Sequence, residues 1–106
     1  MQKIRCAVFA LLPLSALAAT FPIEVEKQLN GAEVSASSQA IDFNMAGIQL
    51  NNYGKAAAEC QVVFRNGPES PRTRKADLEP GQSALLTSSF KSKVIRLRIK
   101  VTCNPK

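Results

Sequence analysis

The 106-residue chain has no histidine and no tryptophan, one tyrosine and three cysteines. Without histidine it lacks both the commonest general base and the commonest metal ligand. A serine or cysteine nucleophile would need a lysine or a carboxylate as its activating base, and no Gly-x-Ser-x-Gly or Ser-x-x-Lys motif stands in a suitable context. Ser89-Phe90-Lys91-Ser92 matches neither, and Ser92 and Lys93 read as solvated turn residues. There is no Gly-x-x-x-x-Gly-Lys-[Ser/Thr] loop and too little chain for two lobes around a nucleotide, which argues against phosphoryl transfer, a kinase included. A blue-copper centre fails for want of histidine. Glu24 and Glu26 are the one close carboxylate pair, but their spacing is that of a solvated strand face, whereas a glycosidase needs two carboxyls facing across a cleft. The sequence therefore gives no support to an enzyme, a metal site or a bound cofactor.

What is present begins with a leader. Met1 to Arg5 is short and positive, and Cys6 to Ala18 is charge-free and mostly apolar, broken by Pro13 and Ser15. Ala16 and Ala18 are small residues at the −3 and −1 positions of a cleavage site. This three-part pattern is that of a secretory signal peptide, residues 1–18. The apolar run is shorter than the roughly 20 residues that span a bilayer, and no second such run follows. Residues 19–106 are then one exported domain, periplasmic or secreted, with no transmembrane segment. Lys3 and Arg5 leave with the leader, so the net charge falls from +6 to +4. Cys6 leaves too, and Cys60 and Cys103 remain. In an oxidising compartment that pair reads as one disulfide, worth about 4 kcal/mol in the chain-entropy model. As metal ligands the two cysteines are poorly supplied, with no CxxC spacing and only Met45 as a soft partner.

The domain reads as strands. In Val94 to Cys103, alternation puts Ile95, Leu97, Ile99, Val101 and Cys103 on one face and Arg96, Arg98, Lys100 and Thr102 on the other. Ala58 to Arg65 places Cys60, Val62 and Phe64 inward, which would send the disulfide across the core. Ile23 and Val25 alternate with Glu24 and Glu26 after Pro22. Ala40 to Asn44 and Gly47 to Asn51 are shorter candidates, Arg72 to Leu78 is a weak one, and Ser83 to Ser88 carries Leu85 and Thr87. Asn30-Gly31, Asn52 to Lys55 and Asn66-Gly67-Pro68 read as turns. Pro80-Gly81 suits the centre of a type II turn. The pattern predicts an all-β antiparallel sandwich with no helix of consequence.

An inward cysteine in an early-middle strand, a Pro-Gly turn and a last strand ending in cysteine resemble the small exported bacterial immunoglobulin-like or fibronectin type III-like sandwich proteins. The resemblance covers most of residues 19–106 and implies a fold without implying an activity. The chain departs from antibody-type domains in lacking a tryptophan and in having Val101 two residues before the second cysteine, where a tyrosine corner has Tyr.

Charge is unevenly distributed. From Ala19 to Phe64, Lys27 and Lys55 stand against Glu24, Glu26, Glu33, Asp42 and Glu59; from Arg65 to Lys106 ten basic residues stand against three acidic ones. Arg96, Arg98 and Lys100 fall on one strand face about 7 Å apart, and Arg72, Arg74 and Lys75 make a second cluster. These six are the candidate anion-binding residues of a non-catalytic binding module, with lipopolysaccharide, a charged polysaccharide, an acidic protein or a membrane face as partners. Nucleic acid fits poorly, because no aromatics interleave with the charges. The plainer reading is that the stripe is a solvated strand face, partly paired with the acidic strands beside it. An alternative function is a structural or accessory subunit of an envelope assembly that pairs through an edge strand.

Overall fold

A computed structural model describes residues 21–106; the expected leader, with Cys6 and the expected cleavage site, lies outside the described residues. Seven strands follow one another: β1 (Ile23–Gln28), β2 (Val34–Asp42), β3 (Met45–Asn52), β4 (Ala58–Arg65), β5 (Arg72–Leu78), β6 (Ser83–Ser89) and β7 (Leu97–Pro105). They form a four-stranded sheet in the order β1-β7-β4-β5 and a three-stranded sheet in the order β2-β3-β6. All neighbours are antiparallel except β1 and β7, which run parallel.

Alternation decides which side chains meet between the sheets. Ile48 and Leu50 of β3 face Val62 and Phe64 of β4 and Leu97, Ile99 and Val101 of β7, all of them 0–1% exposed. Full burial of such side chains is worth about 1.5–3 kcal/mol each, the main source of stability in so small a domain. Turn chemistry connects the strands as expected. Asn30 and Gly31 both have positive φ, 51° and 92°, and the Ala32 N–H donates to Leu29 O at 2.8 Å to close the turn. This is the type I′ signature of Asn-Gly. Gly81 has φ 79° after Pro80, with Gln82 N–H donating to Glu79 O, as a type II turn requires.

Three expectations change. The Cys60–Cys103 disulfide forms, but it does not cross the core. Cys60 and Cys103 are directly opposed on β4 and β7, neighbours in one sheet, so the bridge runs along that sheet's inner face. An inward position fixes the face of a strand and leaves its partner open. The last strand starts at Leu97 rather than Val94. Val94 and Leu97 are both buried, and their N–H groups donate to Phe43 O and Pro22 O respectively. Two inward residues three apart cannot share one face of a straight strand, so the chain bends and Ile95 projects outward, 76% exposed. Finally, the two short candidates around residues 40–51 are one hairpin, β2–β3, turning at Phe43-Asn44. In chain order an immunoglobulin constant domain pairs its strands 1-2-5-4 and 3-6-7, and the order here differs.

Candidate functional site

The six basic candidates do not form one surface. On β5, Arg72 and Arg74 are opposite Phe64 and Val62, so both leave the strand on its inner side, while Lys75 leaves on the outer side. Arg74 Nε donates to Thr87 O of β6 at 3.1 Å, bridging the two sheets at their open margin. The Arg72 guanidinium lies 6.0 Å from the centre of the Phe90 ring, within cation–π range, and its Nη2 is 3.9 Å from Glu69 Oε1. These two arginines close the side of the sandwich and carry their aliphatic stems over its core. The proposed second cluster is therefore divided.

Glu69, which the sequence gave no reason to single out, organises this end of the molecule. Its carboxylate accepts hydrogen bonds from Lys91 N–H at 3.0 Å, Ser92 N–H at 3.1 Å, Ser92 Oγ–H at 3.0 Å and Asn66 Nδ2 at 2.9 Å. The Lys91 N–H bond does most to hold the carboxyl below its ordinary range, helped by Ser92 and Asn66, against partial burial that pushes the other way. One side chain thereby ties the β4–β5 loop to the β6–β7 loop.

On the outer face of the four-stranded sheet, acid meets base strand by strand. Glu24 is opposite Arg98 and Glu26 opposite Lys100 along the parallel β1–β7 pair. Glu24 Oε1 reaches Arg98 Nε at 3.4 Å, both side chains well exposed, so the pair contributes little to stability. Farther along, Lys75 of β5 is opposite Gln61 of β4. Within the expected basic stripe, Arg98 is thus ion-paired to β1 and Lys100 has a carboxylate at its opposed position.

One corner is different. Arg65, absent from the sequence candidates, stands directly across from Arg98 on β4 and β7. Like charges opposed in this way repel. Arg96, in the bend before β7, joins them around an open depression of about 290 Å³ lined by Arg65, Gly67, Arg96 and Arg98. Lys93, Ile95 and Arg96 line the adjoining depression. Arg96 is common to the two depressions, so the protruding Ile95 lies beside Arg96 and Lys93, with Glu69 on the same rim. Of Arg65, Arg96, Arg98 and Lys93, Arg98 alone has an ion-pair partner among the described residues. Alternation over β7 hid this grouping, because Arg65 is distant in sequence and only the β4–β7 register brings it opposite Arg98.

Among the described residues no three His, Cys, Asp or Glu side chains come together in a way that could hold a metal ion, and no helix is long and apolar enough to cross a membrane. No protein-family model, curated protein or solved structure matches the chain.

Proposed function

We propose that this chain is a non-catalytic binding module, exported to the periplasm or secreted, which engages anionic envelope components at the Arg65–Arg96–Arg98 corner. The observation that carries the reading is the direct opposition of Arg65 and Arg98. Glu24 offsets their repulsion only from the Arg98 side; an anion held between the two arginines would relieve it further, and guanidinium forks suit phosphate and carboxylate oxygens. Ile95 refines the choice of ligand. A bare isoleucine beside Arg96 suits an anion that carries acyl chain, such as a phosphorylated lipid, better than a soluble polysaccharide. The disulfide and the leader pattern support the location.

The immunoglobulin-like kinship belongs to this proposal in a restricted form. In immunoglobulin domains strands B and E pair in one sheet and C and F in the other, with B→C and E→F crossing between them. Here β3 and β6 pair in one sheet and β4 and β7 in the other, with β3→β4 and β6→β7 crossing. That shared centre supports the kinship; the flanking strands β1, β2 and β5 are placed differently.

The test is co-sedimentation with vesicles containing anionic phospholipid, repeated over a salt series. The expected result is binding that weakens steeply with salt and is lost in Arg65→Glu/Arg98→Glu. Lys75→Glu/Lys106→Glu, with the same charge change elsewhere, should retain most of it. Equal loss in both double variants would show that net charge alone is responsible and would remove the corner as a site. Ile95→Ser should weaken vesicle binding while leaving retention on a soluble sulfated polysaccharide unchanged.

A further inference from the structure

An open sandwich has four edge strands, here β1, β5, β2 and β6, and each presents unpaired backbone groups that proteins ordinarily guard. Three of the four are guarded. β1 is six residues long and carries Glu24, Glu26 and Lys27. β5 follows Pro71 and carries Arg72, Arg74, Lys75 and Asp77. The β6 edge is capped where Arg74 donates to Thr87 O. β2 has a bulge at its far end, between Ala40 and Asp42, but among the described residues none of these devices along Val34 to Ala40. It is nine residues long, VSASSQAID, uncharged and free of proline from Val34 to Ile41.

The hydrogen-bond phase shows what β2 offers. Tyr53 N–H donates to Glu33 O, so the odd-numbered residues of β2 face their partners on β3. In an antiparallel ladder the alternate residues then point their backbone groups the other way. Val34, Ala36, Ser38 and Ala40 therefore direct N–H and C=O to the open edge. Their side chains lie toward the core and are small, apart from Val34, which leaves room beside them for apolar side chains of an added strand. Ser35, Ser37 and Gln39 line the outer side.

The charge around this edge identifies the occupant. Glu33 and Asp42 bracket β2, and the strand between them carries no charge of its own. A second copy of the chain, paired antiparallel through β2, would set the Glu33 end of one copy beside the Asp42 end of the other. We infer that β2 is a docking edge for an extended segment of another protein, alternating apolar and small polar residues, with lysine or arginine at both ends. The segment would extend the β2-β3-β6 sheet by main-chain hydrogen bonds. This surface is separate from the arginine corner and does not depend on it.

The probe is a synthetic peptide of alternating valine and threonine with lysines at each end, compared with a glutamate-ended analogue and one N-methylated at alternate residues. Binding to the full domain is read by fluorescence anisotropy. The lysine-ended peptide should bind, and the glutamate-ended and N-methylated peptides should bind at least about tenfold more weakly. Ser38→Pro removes an edge-facing N–H and spares the β3 ladder, so it should weaken binding by roughly tenfold at an unchanged melting temperature. Ser37→Lys, which tests the same edge without touching the backbone, should weaken the lysine-ended peptide as well. Indifference of binding to the end charges, insensitivity to both variants, or no binding at all would overturn the inference. So would a dimer of the chain that Ser38→Pro or Ser37→Lys dissociates, since the edge would then belong to a second copy.

Discussion

Replacing both bridged cysteines by alanine should bring the domain close to its folding threshold. Cys60 and Cys103 are separated by 43 residues and are 1% and 0% exposed. Closing a loop of that length restricts the unfolded chain by about 4 kcal/mol. Losing two buried sulfur atoms adds roughly 1 kcal/mol apiece in packing. At about 0.05–0.15 kcal/mol per residue, a domain of this length has some 4–13 kcal/mol in all. The double variant should therefore lose about 5–6 kcal/mol, a fall of some 20–50 °C in melting temperature. Urea unfolding followed by far-ultraviolet circular dichroism, at matched protein concentration, measures it. Because β4 and β7 remain paired through their backbone ladder, the variant's residual folded state should keep its strand signal. A loss below about 1 kcal/mol would refute the reasoning, since it would mean that the denatured chain already holds these strands together.

Other consequences concern Asn52 and Glu69, which the sequence did not mark as important, and Arg74, whose place in the structure differs from the expected one. Asn52 is fully buried; its Nδ2 donates to Ala56 O at 2.9 Å and Leu78 O at 3.1 Å, and its Oδ1 accepts from Gly54 N–H at 3.0 Å. Asn52→Ala leaves all three unpartnered and should cost about 2–4 kcal/mol in urea unfolding; a cost under 0.5 would show that water reaches the site. Glu69→Gln should destabilise at neutral pH. Because the folded carboxyl is held below its ordinary value, its contribution is full above that value and disappears as pH falls through the lowered one. The melting-temperature gap between wild type and variant should therefore close on acidification, and a gap independent of pH would count against an ionised clamp. Arg74→Ala uncovers Thr87 O and the β6 edge. It should change stability by less than about 1 kcal/mol yet increase light scattering on prolonged incubation, and scattering unchanged from wild type would show that Arg74 does not guard the edge.

Where large apolar residues alternate the strand was legible, and β4 lies where Ala58–Arg65 was expected. β5 lies at its weak candidate Arg72–Leu78, bounded by Pro71 and the Pro80-Gly81 turn rather than by apolar alternation. β2 was illegible over most of its length, because Ser-Ala-Ser-Ser-Gln-Ala has no large or aromatic side chain to register a period; its strand form is imposed by the ladder to β3. The start of β7 was misjudged because a regular pattern continues through a bend, which only the anchoring of Val94 and Leu97 reveals. Arg96 and Arg98 were visible as site candidates. Arg65 was not, since its role depends on register between strands distant in sequence. The inward turn of Arg72 and Arg74 was equally hidden, because alternation along β5 does not say which of its two faces is buried.

The central claim is that Arg65, Arg96 and Arg98 form an anion site rather than a merely solvated corner. A titration of the folded domain with a short-chain phospholipid bearing a phosphomonoester, followed residue by residue through backbone amide NMR shifts, tests it most directly. Saturable shifts confined to residues 65–67 and 93–98, suppressed in Arg65→Glu/Arg98→Glu, are the predicted result. Shifts spread over Lys75, Lys106 and the other exposed cations, or no saturation, would contradict it.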